Sequence, residues 1–186
     1  MTLLQAGANA ALTWFFVGDL VLRRGAAAKQ WSPTPDDRGT MMLMVGALVA
    51  SVAVLSVPFL HRWPVPAWLA SAGLAMAALG TALRIWAMRV LGRFYSRALM
   101  VQDGHAVVAE GPYAVIRHPG YGGALLVWVG AALAIGYGAA AVVVTLVLLA
   151  AYARRIAVEE RMLTATLGES YRTYQARTAR LVPGVW

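Results

Sequence analysis

Two polar segments flank an apolar hairpin in this sequence, and both carry side chains suited to chemistry. The first, GPYAVIRHPGYGG at residues 111–123, mixes a histidine, an arginine, tyrosines, prolines and glycines. The second contains Arg155 and Glu159, which lie four residues apart and so share a face of a continuing helix. Charges held near membrane depth are costly and often mark function. We therefore expect a polar site where the two segments meet.

Each of these residues also has a plainer interpretation. GPY alone is typical of a turn, and a histidine before a proline is typical of a helix start at an interface. Arg155 and Glu159 alone also fit a solvated helix face with ordinary ion pairs. The order of these residues along the chain is stronger evidence for a functional site than any one of them.

The composition indicates an integral membrane protein. Of 186 residues, 60% are hydrophobic and 13% are charged, where soluble domains carry about a quarter charged residues. The net charge of +8 fits basic cytoplasmic loops, so nucleic acid is not an expected partner. The chain has no cysteine, which excludes a disulfide, a thiolate nucleophile and a cysteine metal site. We expect no metal.

Apolar runs predict five membrane helices, because a spanning helix needs about 20 mostly apolar residues. The N-terminal run lacks a basic region and a clear cleavage site, so it is expected to be a membrane helix and not a signal peptide. The last two runs form a hairpin, separated only by GYG. The predicted spans are residues 3–22, 40–60, 66–88, 121–136 and 138–154.

The positions of the basic residues predict the orientation. They are concentrated in the first loop, after the third helix and in the tail, whereas the loop HRWPVP holds only Arg62. The positive-inside rule then places the N-terminus outside and the C-terminus in the cytoplasm, in the cell inner membrane. We expect one domain over 1–186, in which 1–88 supplies three helices and 89–186 supplies the loop, the hairpin and the tail. Both polar segments fall on the cytoplasmic side.

The order of the motifs resembles the isoprenylcysteine carboxyl methyltransferase family, which has relatives among membrane phospholipid N-methyltransferases. The likeness covers about residues 90–183. It is strongest in DGHAVVAEGPYAVIRHPGYGG and RIAVEERMLTATLGESYRTYQARTARLVP. The resemblance implies an all-α integral membrane enzyme with five transmembrane helices, a C-terminal helical hairpin, a cytoplasmic active site and S-adenosylmethionine as cofactor, with S-adenosylhomocysteine as product.

The resemblance also assigns residues by position. Arg155 falls on the substrate-contacting arginine, and Arg155 and Glu159 are the expected catalytic pair. Four further residues match recurrent family positions without a definite role: Glu160, Tyr171, Tyr174 and Arg180. The implied cofactor contacts are His105, Ala106, Val107, Val108, Tyr113, His118, Pro119, Gly120, Tyr121 and Glu159.

These residue types suit methyl transfer. Val107, Val108 and Tyr113 offer an apolar slot for adenine, and Glu159 can accept from ribose hydroxyls or an ammonium. His118 or the first amides of the fourth helix suit the cofactor carboxylate. A carboxylate acceptor needs no base, and Arg155 could hold it in bidentate fashion. The expected partners are the lipid bilayer and a lipophilic small-molecule or prenylated acceptor.

Three other functions remain open from the sequence. A phospholipid amine N-methyltransferase would use the same cofactor but would first have to deprotonate its acceptor. An NADPH-dependent membrane reductase would share the C-terminal region only. A non-catalytic scaffold would bind neither cofactor. Protection of the purified protein by S-adenosylhomocysteine but not by NADP would separate the methyltransferases from the others.

Overall fold

The computed structural model describes residues 3–22, 37–95 and 106–184, and regular structure in this part of the chain is helical. Short 3₁₀ turns occupy Pro58–Arg62, Gly92–Phe94 and Gly111–Ala114. The α-helices are α1 (Leu3–Leu22), α2 (Thr40–Leu55), α3 (Ala67–Leu91), α4 (Pro119–Ile135), α5 (Gly138–Leu167) and α6 (Glu169–Arg177).

The five predicted apolar runs each form a helix, and the second run differs most from its predicted boundaries. The second run was predicted to continue to residue 60, but α2 ends at Leu55. Pro58 begins a 3₁₀ turn there, and proline disfavours helix in the residue before it. The fifth apolar run was predicted over 138–154 with the helix continuing past it, and α5 extends to Leu167. The added residues are mostly strong helix formers such as Arg, Glu, Met, Leu and Ala.

Two of the described helices, α3 and α5, are long and apolar enough to cross a bilayer. Shorter apolar helical stretches run over Leu3–Val17, Thr40–Leu55 and Pro119–Ile135. A helix of 16 or 17 residues falls short of the roughly 20 that a bilayer requires. The count of five spans therefore stays a prediction.

Glycines allow α3 and α4 to pack with their backbones in close approach. A Cβ at Gly80 would lie 2.6 Å from the carbonyl oxygen of Gly123, and a Cβ at Gly73 would lie 2.7 Å from that of Gly130. Small residues serve this purpose in membrane helix pairs. This close contact, the α3–α4 seam, sets the position of the start of α4 relative to α3.

The two ends of the bundle differ in polarity. At one end, backbone hydrogen bonds join the turn around Trp63 to the break between α4 and α5: Val65 N donates to Gly136 O and Gly138 N to Trp63 O, at 3.1 and 3.2 Å. The opposite end contains the start of α4, the polar part of α5 and α6. Between the ends, large apolar side chains such as Leu79, Leu146 and Val49 are exposed on the flanks. Such a surface is typical of contact with lipid.

Candidate active site

The predicted site residues from Tyr113 onward meet at the polar end of the bundle. The 3₁₀ turn Gly111–Ala114 buries Tyr113, and Pro119 starts α4 at its first helical position, where proline needs no amide partner. The polar part of α5 passes beside this start, and α6 folds back over it. His118, Glu160, Tyr171 and Tyr174 are buried in this region, and Tyr121, Glu159 and Arg180 are partly buried.

Glu160 is the buried centre of one polar cluster. Its Oε1 accepts from Arg117 Nε at 2.7 Å and lies 3.3 Å from His118 Nε2. Its Oε2 accepts from Arg180 Nε at 3.0 Å. A buried carboxylate with two arginine partners is well compensated. Glu160 therefore ties the start of α4 to the segment that follows α6.

Arg117 strengthens the same connection, although no role was predicted for it from the sequence. Its Nη1 donates to the carbonyl of Gln175 at 3.0 Å and to that of Thr178. Main-chain bonds run beside it, because Arg117 N donates to Ala179 O at 2.8 Å and His118 N donates to Arg180 O at 3.1 Å. The loop before α4 is thus held in place by the chain after α6.

A second polar line connects Glu159 and Arg155 through a tyrosine. Tyr121 Oη donates to Glu159 Oε2 at 2.8 Å and accepts from Arg155 Nε at 3.2 Å. The shared helical face predicted for Arg155 and Glu159 agrees with their position on α5. The tyrosine between them was expected only as a cofactor contact.

Arg155 has two further partners that the sequence analysis missed. Its Nη1 donates to Asp37 Oδ1 and, at 2.8 Å, to Thr40 Oγ1. Asp37 lies three residues before Thr40, the first residue of α2. No local sequence pattern reveals that its partner Arg155 lies 118 residues away.

Rings line this end of the bundle. His118 stacks on Tyr121 with 5.7 Å between ring centroids, and Tyr121 stacks on Tyr152 at 5.1 Å. Tyr174 Oη donates to the carbonyl of Tyr113 at 2.8 Å. Burial raises the pKa of Tyr174 to about 12 and raises the pKa of Tyr113 well above its ordinary value. Both phenols stay protonated, and Tyr174 acts as a donor.

The residues expected to hold the cofactor fit that role in three respects. Within the described part of the chain, Glu159 accepts a single hydrogen bond, from Tyr121, so its other carboxylate oxygen can accept from a ligand. A Cβ added at Gly120 would meet nothing within 4 Å, which leaves open space against the first turn of α4. Val107 and Val108 are partly buried, whereas Ala106 is exposed. His105 lies outside the described residues.

One ring nitrogen of His118, which was expected to contact the cofactor, already has a partner within the protein. Its Nε2 faces Glu160, and its ring lies against Tyr121. Arg84 of α3 also reaches this turn, where its Nη1 donates to Gly120 O at 3.1 Å. The first turn of α4 is therefore fixed by α3, α5 and the C-terminal segment together.

Comparison with known proteins identifies relatives of this arrangement. The model of the isoprenylcysteine carboxyl methyltransferase family matches residues 73–165, half of the chain. Protein-S-isoprenylcysteine O-methyltransferase B of Arabidopsis thaliana is 32% identical over 120 residues, covering 63% of this chain and 61% of the relative. The enzyme of Schizosaccharomyces pombe is 30% identical over 115 residues, covering 61% of this chain and 49% of the relative. The chain thus spans about three fifths or less of these curated relatives.

A solved structure has the same fold. The eukaryotic intramembrane Ras methyltransferase, an isoprenylcysteine carboxyl methyltransferase, superposes with a TM-score of 0.71 at 22% identity. The match covers 98% of this chain and 67% of that chain. Together with the apolar flanks, this fold identifies an integral membrane protein. The family match confirms the resemblance drawn from the two motif blocks: this chain belongs to the isoprenylcysteine carboxyl methyltransferase family.

Proposed function

We propose that this protein is a membrane methyltransferase that uses S-adenosylmethionine to methylate the carboxylate of a lipophilic acceptor, of the S-isoprenylcysteine class. The observation that carries the proposal is the line Arg155–Tyr121–Glu159. It places a guanidinium and a carboxylate on either side of one phenol, at the polar end of an apolar bundle. All three residues lie inside the segment that matches the family.

The cofactor site consists of the loop before α4, the first turn of α4 and Glu159. Val107, Val108 and Tyr113 supply apolar and aromatic surface for the adenine. Glu159 accepts hydrogen bonds from the ribose hydroxyls or the ammonium through its remaining oxygen. The open space at Gly120 allows a ligand to approach the backbone closely. His105, Ala106, His118, Pro119 and Tyr121 complete the proposed contacts.

S-Adenosylmethionine supplies, when bound, a methyl carbon on a sulfonium, from which an acceptor oxygen displaces the thioether. The protein then needs neither a nucleophile nor a base, because a carboxylate is already ionised. Its task is to orient the acceptor oxygen. Arg155 holds the acceptor carboxylate through a planar guanidinium whose direction is fixed by Tyr121 on one side. The apolar walls of the bundle exclude water from the reacting atoms.

The bilayer delivers the acceptor in this proposal. A prenyl chain dissolves among lipid tails and reaches Arg155 sideways between helices, whereas the water-soluble cofactor enters from the cytoplasm. The cytoplasmic side is assigned from the excess of arginine at the polar end. Five spans, with the N-terminus outside, complete the proposed topology.

Methyl transfer from labelled S-adenosylmethionine to S-farnesylcysteine by the purified protein tests the proposal. We expect label in a base-labile methyl ester, and thermal protection by S-adenosylhomocysteine but not by NADP. Phosphatidylethanolamine vesicles serve as the amine acceptor in a parallel reaction. Label in the phospholipid alone would show that the acceptor is an amine and not a carboxylate. Protection by NADP alone would indicate a reductase, and protection by neither would contradict catalysis with these cofactors.

A further inference from the structure

Arg155 is paired with a carboxylate from outside the family segment. Asp37 lies just before α2 and is fully buried, with 0% of its surface exposed, and Arg155 is 3% exposed. The pair joins Arg155 Nη1 to Asp37 Oδ1. The family match begins at residue 73, so this contact is contributed by the N-terminal part of the chain.

Asp37 is itself held rigidly by the start of α2. Its Oδ2 accepts from Met41 N at 2.7 Å, and its Oδ1 accepts from Thr40 Oγ1 at 3.0 Å. The Thr40 hydroxyl in turn accepts from Arg155 Nη1 at 2.8 Å. The guanidinium is therefore bonded at Nη1 by α2 and at Nε by Tyr121 of α4. Two separate helices fix the plane of one side chain.

The charge of Asp37 has a second effect. A carboxylate acceptor is negative before methyl transfer and becomes a neutral ester, so its attraction to Arg155 weakens along the reaction. An unopposed guanidinium would stabilise the bound acceptor more than the transition state, which lowers the turnover rate. The negative charge of Asp37 lies beside the same guanidinium, and it weakens the electrostatic attraction between Arg155 and the acceptor carboxylate.

We propose that Asp37 and Thr40 are positioning residues that orient Arg155 and moderate its hold on the acceptor carboxylate. This inference rests on the proposed function of Arg155. Asp37 fixes the guanidinium and keeps the anionic acceptor from binding too tightly. Thr40 contributes orientation only, because it carries no charge. The N-terminal part of the chain thereby influences which acceptors turn over.

Kinetics with Asp37→Asn separate orientation from a merely structural role. The amide keeps the shape and can still accept from Met41, but it loses the charge. We expect the turnover number to fall about tenfold, since Arg155 is less well oriented. We expect the KM for S-farnesylcysteine to fall as well, by roughly fivefold, since an opposing negative charge is gone. Affinity for S-adenosylhomocysteine should stay unchanged. A KM that rises, or a parallel loss of cofactor affinity and activity, would overturn the proposal.

Thr40 provides a second variant that preserves the charged pair. Thr40→Val should lower the turnover number and leave the KM unchanged, and Thr40→Ser should restore turnover. Ser51→Ala is the matched control, because Ser51 is a buried hydroxyl of α2 that donates only to Ala47 O within its own helix. If Asp37→Asn does not fold, the comparison of Thr40→Val with Thr40→Ser tests the positioning role. Equal activity of Thr40→Val and wild type would overturn the positioning role.

A binding measurement separates this inference from the proposed function. Calorimetry compares S-farnesylcysteine with its carboxamide, each in the presence of S-adenosylhomocysteine. We expect Asp37→Asn to increase the preference for the carboxylate. If the wild type transfers no methyl group but this preference still shifts, the proposed reaction fails and the role of Asp37 stands. An unchanged preference overturns the role of Asp37 whatever the activity.

Discussion

Glu159 and Glu160 are adjacent in sequence but serve two different networks. Glu160 is buried and accepts from Arg117 and Arg180. Glu159 accepts from Tyr121, and the described residues leave its second oxygen available. Successive residues of a helix point about 100° apart, so one can hold the fold while the other faces a ligand. Side-chain substitution should separate the two roles.

We expect Glu159→Gln to weaken S-adenosylhomocysteine binding and Glu160→Gln to weaken the fold. A charge-assisted hydrogen bond is worth about 1.5–3 kcal/mol, so the Glu159 variant should lose roughly tenfold or more in affinity at nearly unchanged thermal stability. Removing one partner of a buried ion pair costs about 3–5 kcal/mol, so the Glu160 variant should melt about 10 °C lower. Calorimetry and thermal unfolding measure the two effects. Glu169→Gln, on an exposed side chain, is the control, and wild-type affinity in Glu159→Gln would remove that residue from the cofactor site.

Arg155→Lys tests whether the shape of the guanidinium matters. Lysine keeps the charge opposite Asp37, but it cannot bond Asp37 and Tyr121 through separate nitrogens of one plane. We expect turnover to fall about 100-fold through misplacement of the acceptor, with cofactor affinity close to wild type. Arg154→Lys, at an exposed neighbour on the same helix, controls for loss of an arginine. Near-normal turnover, or an equal collapse of cofactor binding, would remove Arg155 from the acceptor site.

At the scale of the helices, sequence and structure agree where hydrophobicity decides. Apolar runs long enough to form helices predicted α1 to α5, and the motif around His118 predicted the polar start of α4. Contacts between polar side chains far apart in the chain produce no comparable pattern in the sequence. Asp37 looks like one more acid in a charged loop, and Arg117 bonds carbonyls, which every residue has. The closure of the site by Asp37 and Arg117 therefore required the structure.

The α3–α4 seam should be sensitive to a single methyl group. Gly80→Ala would place a Cβ 2.6 Å from Gly123 O and 2.8 Å from Val127 N, and these backbone atoms cannot turn away. We expect a loss of about 1–3 kcal/mol in stability and a lower methyl transfer rate, because the first turn of α4 belongs to the proposed cofactor site. Gly46→Ala on α2 is the control, since a Cβ there meets nothing within 4 Å. Equal melting temperatures for the two variants would show that the seam relaxes freely.

For the whole molecule, the two ends of the bundle should face opposite sides of the membrane. Arg62 ends the 3₁₀ turn at the apolar end, whereas Asp37, Arg155 and α6 lie at the polar end. Reporter fusions after Arg38 and after Trp186 should therefore both report cytoplasm, and a fusion after Arg62 should not. A C-terminus detected on the periplasmic side would contradict the orientation and place the proposed cofactor site away from the cytoplasm.

The main-chain bonds between the loop before α4 and the chain after α6 impose an order of assembly on the polypeptide. Arg117 N donates to the carbonyl of Ala179, which follows the whole α4–α5 hairpin in the chain. The hairpin forms from contacts between neighbouring helices and can close early, whereas a loop that spans it closes late. During synthesis, we expect the loop before α4 to remain without these partners until the two apolar helices are made. We therefore expect the proposed cofactor site to form on a hairpin that is already in place in the membrane.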